Sequence, residues 1–205
     1  MRKQTRAAVF AALLAILGAV AGLSHAGAAE PGYSFSVKTA MDTVSRWPDA
    51  SRGAAMEMIG KYGAPDGLTV EIIYWRNRGE WLEITVRRTG APHNFPAPHE
   101  DVLEQVVAYE VPPGRHNDLA VFDGSVVAER TRGTLSARCR SEAMNYAALN
   151  LAHEIITEGM SIEAARESFA AIMRGHAEGR EHRYTRGLQF RLEIPEDTRD
   201  PDFAF

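Results

Sequence analysis

The chain changes period three times. From Lys38 to Lys61 apolar residues recur at helical spacing in two short segments, Lys38–Arg46 and Ala50–Lys61, with Ala54, Met58 and Ile59 along one face of the second. Pro48 separates them, because its ring cannot continue a helix and it biases Trp47 toward extended backbone. Gly60, Gly63 and Pro65 mark the exit. The spacing then becomes two. In Leu68–Arg76, Val70, Ile72 and Tyr74 alternate with Glu71, Ile73 and Trp75. After Asn77-Arg78-Gly79-Glu80, Leu82, Ile84 and Val86 alternate with Glu83, Thr85 and Arg87. Two such runs joined through a Gly-containing turn predict a β-hairpin.

The prolines between Gly90 and Asp101 predict a loop that breaks the sheet. Leu103, Val107, Tyr109 and Val111 predict a further strand, stopped by Pro112-Pro113. Asn117–Phe122 reads as one helical turn, and Ser125–Thr131 with Thr134–Cys139 as a second hairpin. Helical spacing returns in Ser141–Glu158, where Ser141 is placed as the cap and Met144, Ala148, Leu151 and Ile155 form an apolar stripe. A last helix starts at Ser161, buries Ile162, Ala165, Phe169 and Ile172, and ends at Arg174-Gly175. A polar stretch then leads to an alternating run of Leu188, Phe190, Leu192 and Ile194. Strands and helices come in blocks rather than alternating, which disfavours a parallel doubly wound sheet. The prediction is an α+β fold, a mostly antiparallel sheet of about 5–6 strands with helices packed on one face.

Residues 1–28 stand outside this pattern. Arg2, Lys3 and Arg6 precede an apolar run of 17 residues, Ala7–Leu23, and Ala26-Gly27-Ala28 has the form of a signal-peptidase site. A spanning helix takes about 20 apolar residues, so a cleaved signal peptide is expected over an uncleaved anchor, and with it a periplasmic location. The expected organisation is a signal peptide at 1–28, one domain at 29–195 and a mobile acidic tail at 196–205. Three of the 23 cations leave with the signal, so 20 face 27 acidic residues, and a net charge of −7 disfavours nucleic acid as a partner. The single Cys139 excludes an internal disulfide and every CxxC chemistry; it is expected as a small buried hydrophobe rather than an exposed thiol.

Candidate chemistry concentrates in Pro92-His93-Asn94-Phe95-Pro96-Ala97-Pro98-His99-Glu100-Asp101. Imidazole with carboxylate suits zinc or a non-haem metal, so His93, His99 and Asp101 are candidate ligands and Glu100 a candidate base. The alternative, preferred on spacing alone, is a surface loop in which Phe95 plugs the core and the histidines bond backbone. A second stripe, Glu142, Tyr146, Leu149 and His153, lies roughly opposite the apolar face of its helix and is expected to be solvated. Asn145 is expected to bond a neighbouring loop. His176 and His182 among Arg174, Arg180, Arg183 and Arg186 read as a solvated linker before an anion patch. HExxH, G-x-S-x-G, the Walker loop and the dinucleotide fingerprint are all missing from the sequence.

Lys61-Tyr62-Gly63-Ala64-Pro65-Asp66, the His93–Gln105 segment, Asp123-Gly124-Ser125-Val126 with Glu129-Arg130, and Ser136-Ala137-Arg138-Cys139 leading into Met144-Asn145 and Ala148–Ala152 together resemble a family of uncharacterised exported proteobacterial proteins. The resemblance spans about Arg46 to Met173 and implies export and a single domain. Ala50–Arg88 is also similar in layout to small outer-membrane-assembly lipoprotein domains, although the lipid-attachment Cys of that class is missing. The resulting expectation is a non-enzymatic binding or envelope-maintenance module without a cofactor. It would meet an envelope protein or small ligand through the Pro-rich loop and an adjacent sheet edge, using His93, Asn94, Phe95, His99, Glu100, Asp101 and His153. A metal-dependent hydrolase built on His93, His99 and Asp101 is the alternative.

Overall fold

Ser36 caps α1 (Val37–Val44), its Oγ accepting the Thr39 N–H at 3.0 Å. The computed structural model describes residues 35–192; the expected signal peptide and acidic tail lie outside the described residues, as does Ile194. Pro48 stands at the N-cap of α2 (Asp49–Tyr62), where a missing N–H costs nothing, and Gly63, at φ +75°, ends it. β1 (Gly67–Leu68), β2 (Ile72–Arg78), β3 (Trp81–His93) and β4 (His99–Ala108) follow. After them come α3 (His116–Phe122), β5 (Val126–Glu129), β6 (Thr134–Cys139), α4 (Glu142–Ile156) and α5 (Ile162–Ala177).

Among the described residues the six strands form one open antiparallel sheet in the order β1-β2-β3-β4-β6-β5. Two cross-strand rows define its inner face. Ile73, Val86, Leu103 and Cys139 sit in one row, and Trp75, Ile84, Gln105 and Ala137 in the next, all buried. The five helices pack against that face, with α2 over β2, β3 and β4, and α4 over β4, β5 and β6. On the other face charged side chains pair across strands, Arg76 with Glu83 and Arg87 with Glu104. Period two therefore sorts apolar from charged positions as an antiparallel sheet with one covered face requires.

Three expectations fail for local reasons. Leu68–Arg76 is not one strand: Thr69 Oγ1 accepts the N–H groups of Glu71 and Ile72, turning the chain so that Leu68 pairs with Ile73. The Pro-rich stretch does not break the sheet. A bulge between Val86 and Ala91 lets β3 run on to His93, opposite His99, and the turn shrinks to residues 94–98. That turn joins two central strands, so it does not adjoin a sheet edge. Leu188–Leu192 forms no strand, because Asn150 on α4 binds that segment instead: its Nδ2 donates to the carbonyls of Tyr184 and Gly187, and its Oδ1 accepts from Gln189 N–H. Ser141 occupies the N-cap position of α4 without a side-chain capping bond.

A candidate metal centre

His99 and Asp101 are two residues apart on β4, so strand geometry sends both side chains to the inner face, in line with Leu103 and Gln105. His93, at the end of β3, is the cross-strand partner of His99. The turn between α3 and β5 adds Asp123 and Ser125, fixed to each other by the Ser125 N–H donating to Asp123 Oδ1 at 2.8 Å. β6 adds Cys139. His93, His99 and Asp101 each offer one ligand atom, all within 4.8 Å of one another.

The turn carrying the histidines is clamped. Phe95 is half-buried against Phe169 of α5, with ring centroids 5.8 Å apart, and the Arg166 guanidinium lies 3.8 Å above the Phe95 ring. Arg166 in turn donates to the carbonyls of Val121 and Phe122. One arginine thus ties the 94–98 turn, α5 and the end of α3 together, and the Phe95–Pro96 peptide is cis.

His99 has one nitrogen hydrogen-bonded away from the centre, and His93 has one nitrogen at ion-pair distance from a second acid. His99 Nδ1 donates to the Ala97 carbonyl at 2.8 Å, leaving Nε2 3.0 Å from Asp101 Oδ1 and 3.5 Å from Cys139 Sγ. His93 Nε2 lies 3.6 Å from Asp123 Oδ1, leaving Nδ1 3.3 Å from Asp101 Oδ2 and 3.5 Å from Ser125 Oγ. The Ser125 hydroxyl donates to Asp101 Oδ2. Asp101 Oδ1 accepts no hydrogen bond although its carboxylate is 1% exposed: the His99 contact is close enough for an ion pair, but the N–H does not point along it. For His99, an outer nitrogen held by a backbone carbonyl and an inner nitrogen beside a buried carboxylate form the arrangement that orients a histidine ligand.

The electrostatics favour positive charge at this point. The Asp101 carboxylate beside Nε2, with help from Cys139, raises His99 to about 10 against the cost of burial. Burial pushes Asp101 upward, but the His99 contact, the Ser125 hydroxyl and the charge of His93 outweigh it and hold the carboxyl below its usual range. Asp123 moves the other way, raised by burial and by the neighbouring Asp101 charge. A neutral His99 with its proton on Nδ1 would leave an unprotonated Nε2 3.0 Å from a carboxylate oxygen; a second proton or a metal cation relieves that repulsion.

The expected residues therefore divide. His93, His99 and Asp101 converge, and Phe95 secures the turn beneath them. Asn94 and Glu100 are exposed, and Glu100, between His99 and Asp101 on β4, faces away from the centre, which removes it as the base of this group. His153 belongs elsewhere: its Nδ1 meets the Tyr109 hydroxyl at 2.8 Å and its ring stacks on Phe190 at 4.3 Å. Its helical stripe is not solvated, contrary to expectation, since Glu142, Tyr146 and Leu149 are all buried. Asn145 is also fully buried, and it donates to the Leu103 carbonyl and Gln105 Oε1 on the sheet rather than to a loop. Asp123, Ser125 and Cys139 carry no ligand motif in sequence; Asp123-Gly124-Ser125 signals only a turn, and register alone brings Cys139 to this end of the sheet.

A relay of the nucleophile–histidine–acid kind is not formed by Cys139, His99 and Asp101. Thiol and carboxylate approach the same nitrogen, whereas such a relay needs one on each. Comparison with protein-family models, curated proteins and solved structures finds no match. Clefts of about 420 Å³ against α5 and about 450 Å³ against α1 include none of His93, His99 and Asp101 in their walls.

Proposed function

We propose that this protein is a non-enzymatic metal-binding module that takes one divalent transition-metal ion, zinc by preference, through His93, His99 and Asp101. The observation that carries the reading is the buried Asp101 carboxylate, with one oxygen that accepts no hydrogen bond and two imidazoles whose remaining nitrogens face it. Two histidines and a carboxylate are ligands of borderline divalent ions, not of calcium or magnesium, which favour all-oxygen sites. Side-chain exposures of 17%, 4% and 1% for His93, His99 and Asp101 support binding over turnover, because a substrate needs a way in. The residue pattern at 1–28 supports work in the periplasm after cleavage near Ala28.

Protein purified without chelator and dialysed against zinc is expected to hold one equivalent by elemental analysis. The His93→Ala/His99→Ala double variant, with its fold checked by circular dichroism, is expected to hold none. Equal zinc in both would sink the proposal. N-terminal sequencing of periplasmic material, expected to begin near Ala29, tests the location.

A further inference from the structure

We infer that Cys139 supplies the fourth ligand, so that the ion sits in a closed, thiolate-containing tetrahedron; this rests on the metal-binding reading above. Around a zinc-sized ion with bonds of about 2.0–2.1 Å to nitrogen and oxygen and about 2.3 Å to sulfur, tetrahedral geometry sets ligand-to-ligand separations of about 3.3 Å for nitrogen–oxygen and about 3.5 Å for nitrogen–sulfur. The protein shows 3.0 Å between His99 Nε2 and Asp101 Oδ1, 3.3 Å between His93 Nδ1 and Asp101 Oδ2, and 3.5 Å between Cys139 Sγ and His99 Nε2. Two edges that share His99 Nε2, to Asp101 Oδ1 and to Cys139 Sγ, therefore have close to their metal-bound lengths, while His93 approaches the other Asp101 oxygen.

The sheet provides the means. Cys139 is the cross-strand partner of Leu103, one pleat repeat along β4 from Asp101 and two from His99 on the same face. The thiol is 3% exposed, so it is shielded from bulk oxidants and from other chains. A second pointer is independent of the thiol: the Asp101 oxygen that accepts no hydrogen bond lies 3.0 Å from the same His99 Nε2 that the thiol approaches at 3.5 Å. Binding exchanges protons for metal. The ion replaces the Cys139 S–H proton and, where His99 is charged, its Nε2 proton, and these pass to solvent.

A fourth protein ligand changes the class of site. Three ligands would leave a position for a water to be activated; His93, His99, Asp101 and Cys139 together leave none, as in structural zinc centres. The thiolate also selects thiophilic ions, so zinc, cadmium and cobalt(II) are accepted and manganese and magnesium are not.

X-ray absorption at the zinc edge of the loaded wild-type chain tests this without a variant. One sulfur at about 2.3 Å with nitrogen or oxygen neighbours at about 2.0 Å is expected. A shell of nitrogen and oxygen alone would remove Cys139 while leaving the metal-binding reading intact. With cobalt(II) as the probe, the wild type should show a near-ultraviolet sulfur-to-metal charge-transfer band. In Cys139→Ser that band should vanish while visible d–d bands persist and affinity falls at least about tenfold. Identical spectra for the two proteins would overturn the thiolate assignment. Failure of the wild type to take up zinc or cobalt at all would overturn the metal-binding reading and this inference together.

Discussion

Two buried carboxylates on the same side of the sheet, Glu142 and Asp101, have opposite surroundings. Glu142, 5% exposed at the start of α4, sits among hydrogen-bond donors. Trp81 Nε1 and Gln105 Nε2 each donate to its Oε1 at 2.9 Å, the Tyr62 hydroxyl donates to the same oxygen, and Lys61 donates to Oε2. Gln105 is held in turn by Asn145. Asp101 has one hydroxyl donor, two imidazoles and a neighbouring acid, and one oxygen that accepts nothing. A carboxylate surrounded by matched donors is a knot joining α2, β3, β4 and α4. A carboxylate short of donors and faced by imidazole nitrogens is a place for a cation. Burial does not distinguish the two; the number and kind of partners does.

The largest effect should come from cutting the knot. Glu142→Ala strips the buried Gln105 Nε2 of its oxygen acceptor, leaves Trp81 Nε1 only the Tyr62 hydroxyl, and removes the bonds from Tyr62 and Lys61; hydrogen bonds to a charged group contribute about 1.5–3 kcal/mol, so the loss should be about 3 kcal/mol in urea unfolding. A loss within about 0.5 kcal/mol, the scale of ordinary surface substitutions, would show that the network is ornamental. Zinc then separates the two carboxylates. At free zinc a hundredfold above Kd the wild type should gain about 2.7 kcal/mol. Glu142→Ala should gain the same increment from its lower baseline, and Asp101→Ala should gain little. If Asp101→Ala responded to zinc as fully as the wild type, the contrast would collapse.

Much of the fold was legible because it depends on short-range pattern. The β2–β3 hairpin follows from alternation and a Gly-containing turn, and the α+β class from the block order of the elements. Three prolines hid the extension of β3 and β4, because proline penalises the ladder locally while the bulge that accommodates them depends on tertiary packing. With the strands cut short, His99 and Asp101 looked like loop residues instead of neighbours on one strand face. The helical wheel likewise placed Glu142 and Tyr146 opposite the apolar stripe without showing that α4 is covered nearly all round. Cys139 reaches the centre through strand register and Ser125 through the packing of the turn before β5, long-range quantities that spacing along the chain does not encode.

Gly90, within the bulged stretch, gives a finer test of that extension. A Cβ there would lie 2.7 Å from Val102 Cγ1, 3.0 Å from Glu100 Cβ and 3.1 Å from the Asp101 carbonyl. The valine can turn aside, but the carbonyl moves only with the backbone that carries Asp101. Gly90→Ala should therefore cost about 1–3 kcal/mol of stability, the usual range for overpacking, and should weaken zinc binding as well. A full loss of stability with unchanged zinc affinity would mean that the strain is absorbed away from the centre.

The smallest effect belongs to His153, the candidate that did not join the others. Burial lowers its pKa from 6.5, against the opposing charge of Glu154, and the Tyr109 hydroxyl and the Phe190 ring are its neighbours. Above pH 6.5 the ring is neutral in both folded and unfolded chains, so its contribution to stability is fully present there. As the pH falls below 6.5 the unfolded chain takes up the proton first, and the contribution is lost as the pH passes through the folded value. In chelator, the stability of the wild type should therefore decline more steeply below pH 6.5 than that of His153→Gln, with the two curves parallel above it. Zinc should leave this difference unchanged, because His153 has no part in the centre; a zinc-dependent difference would place His153 with His93, His99 and Asp101 after all.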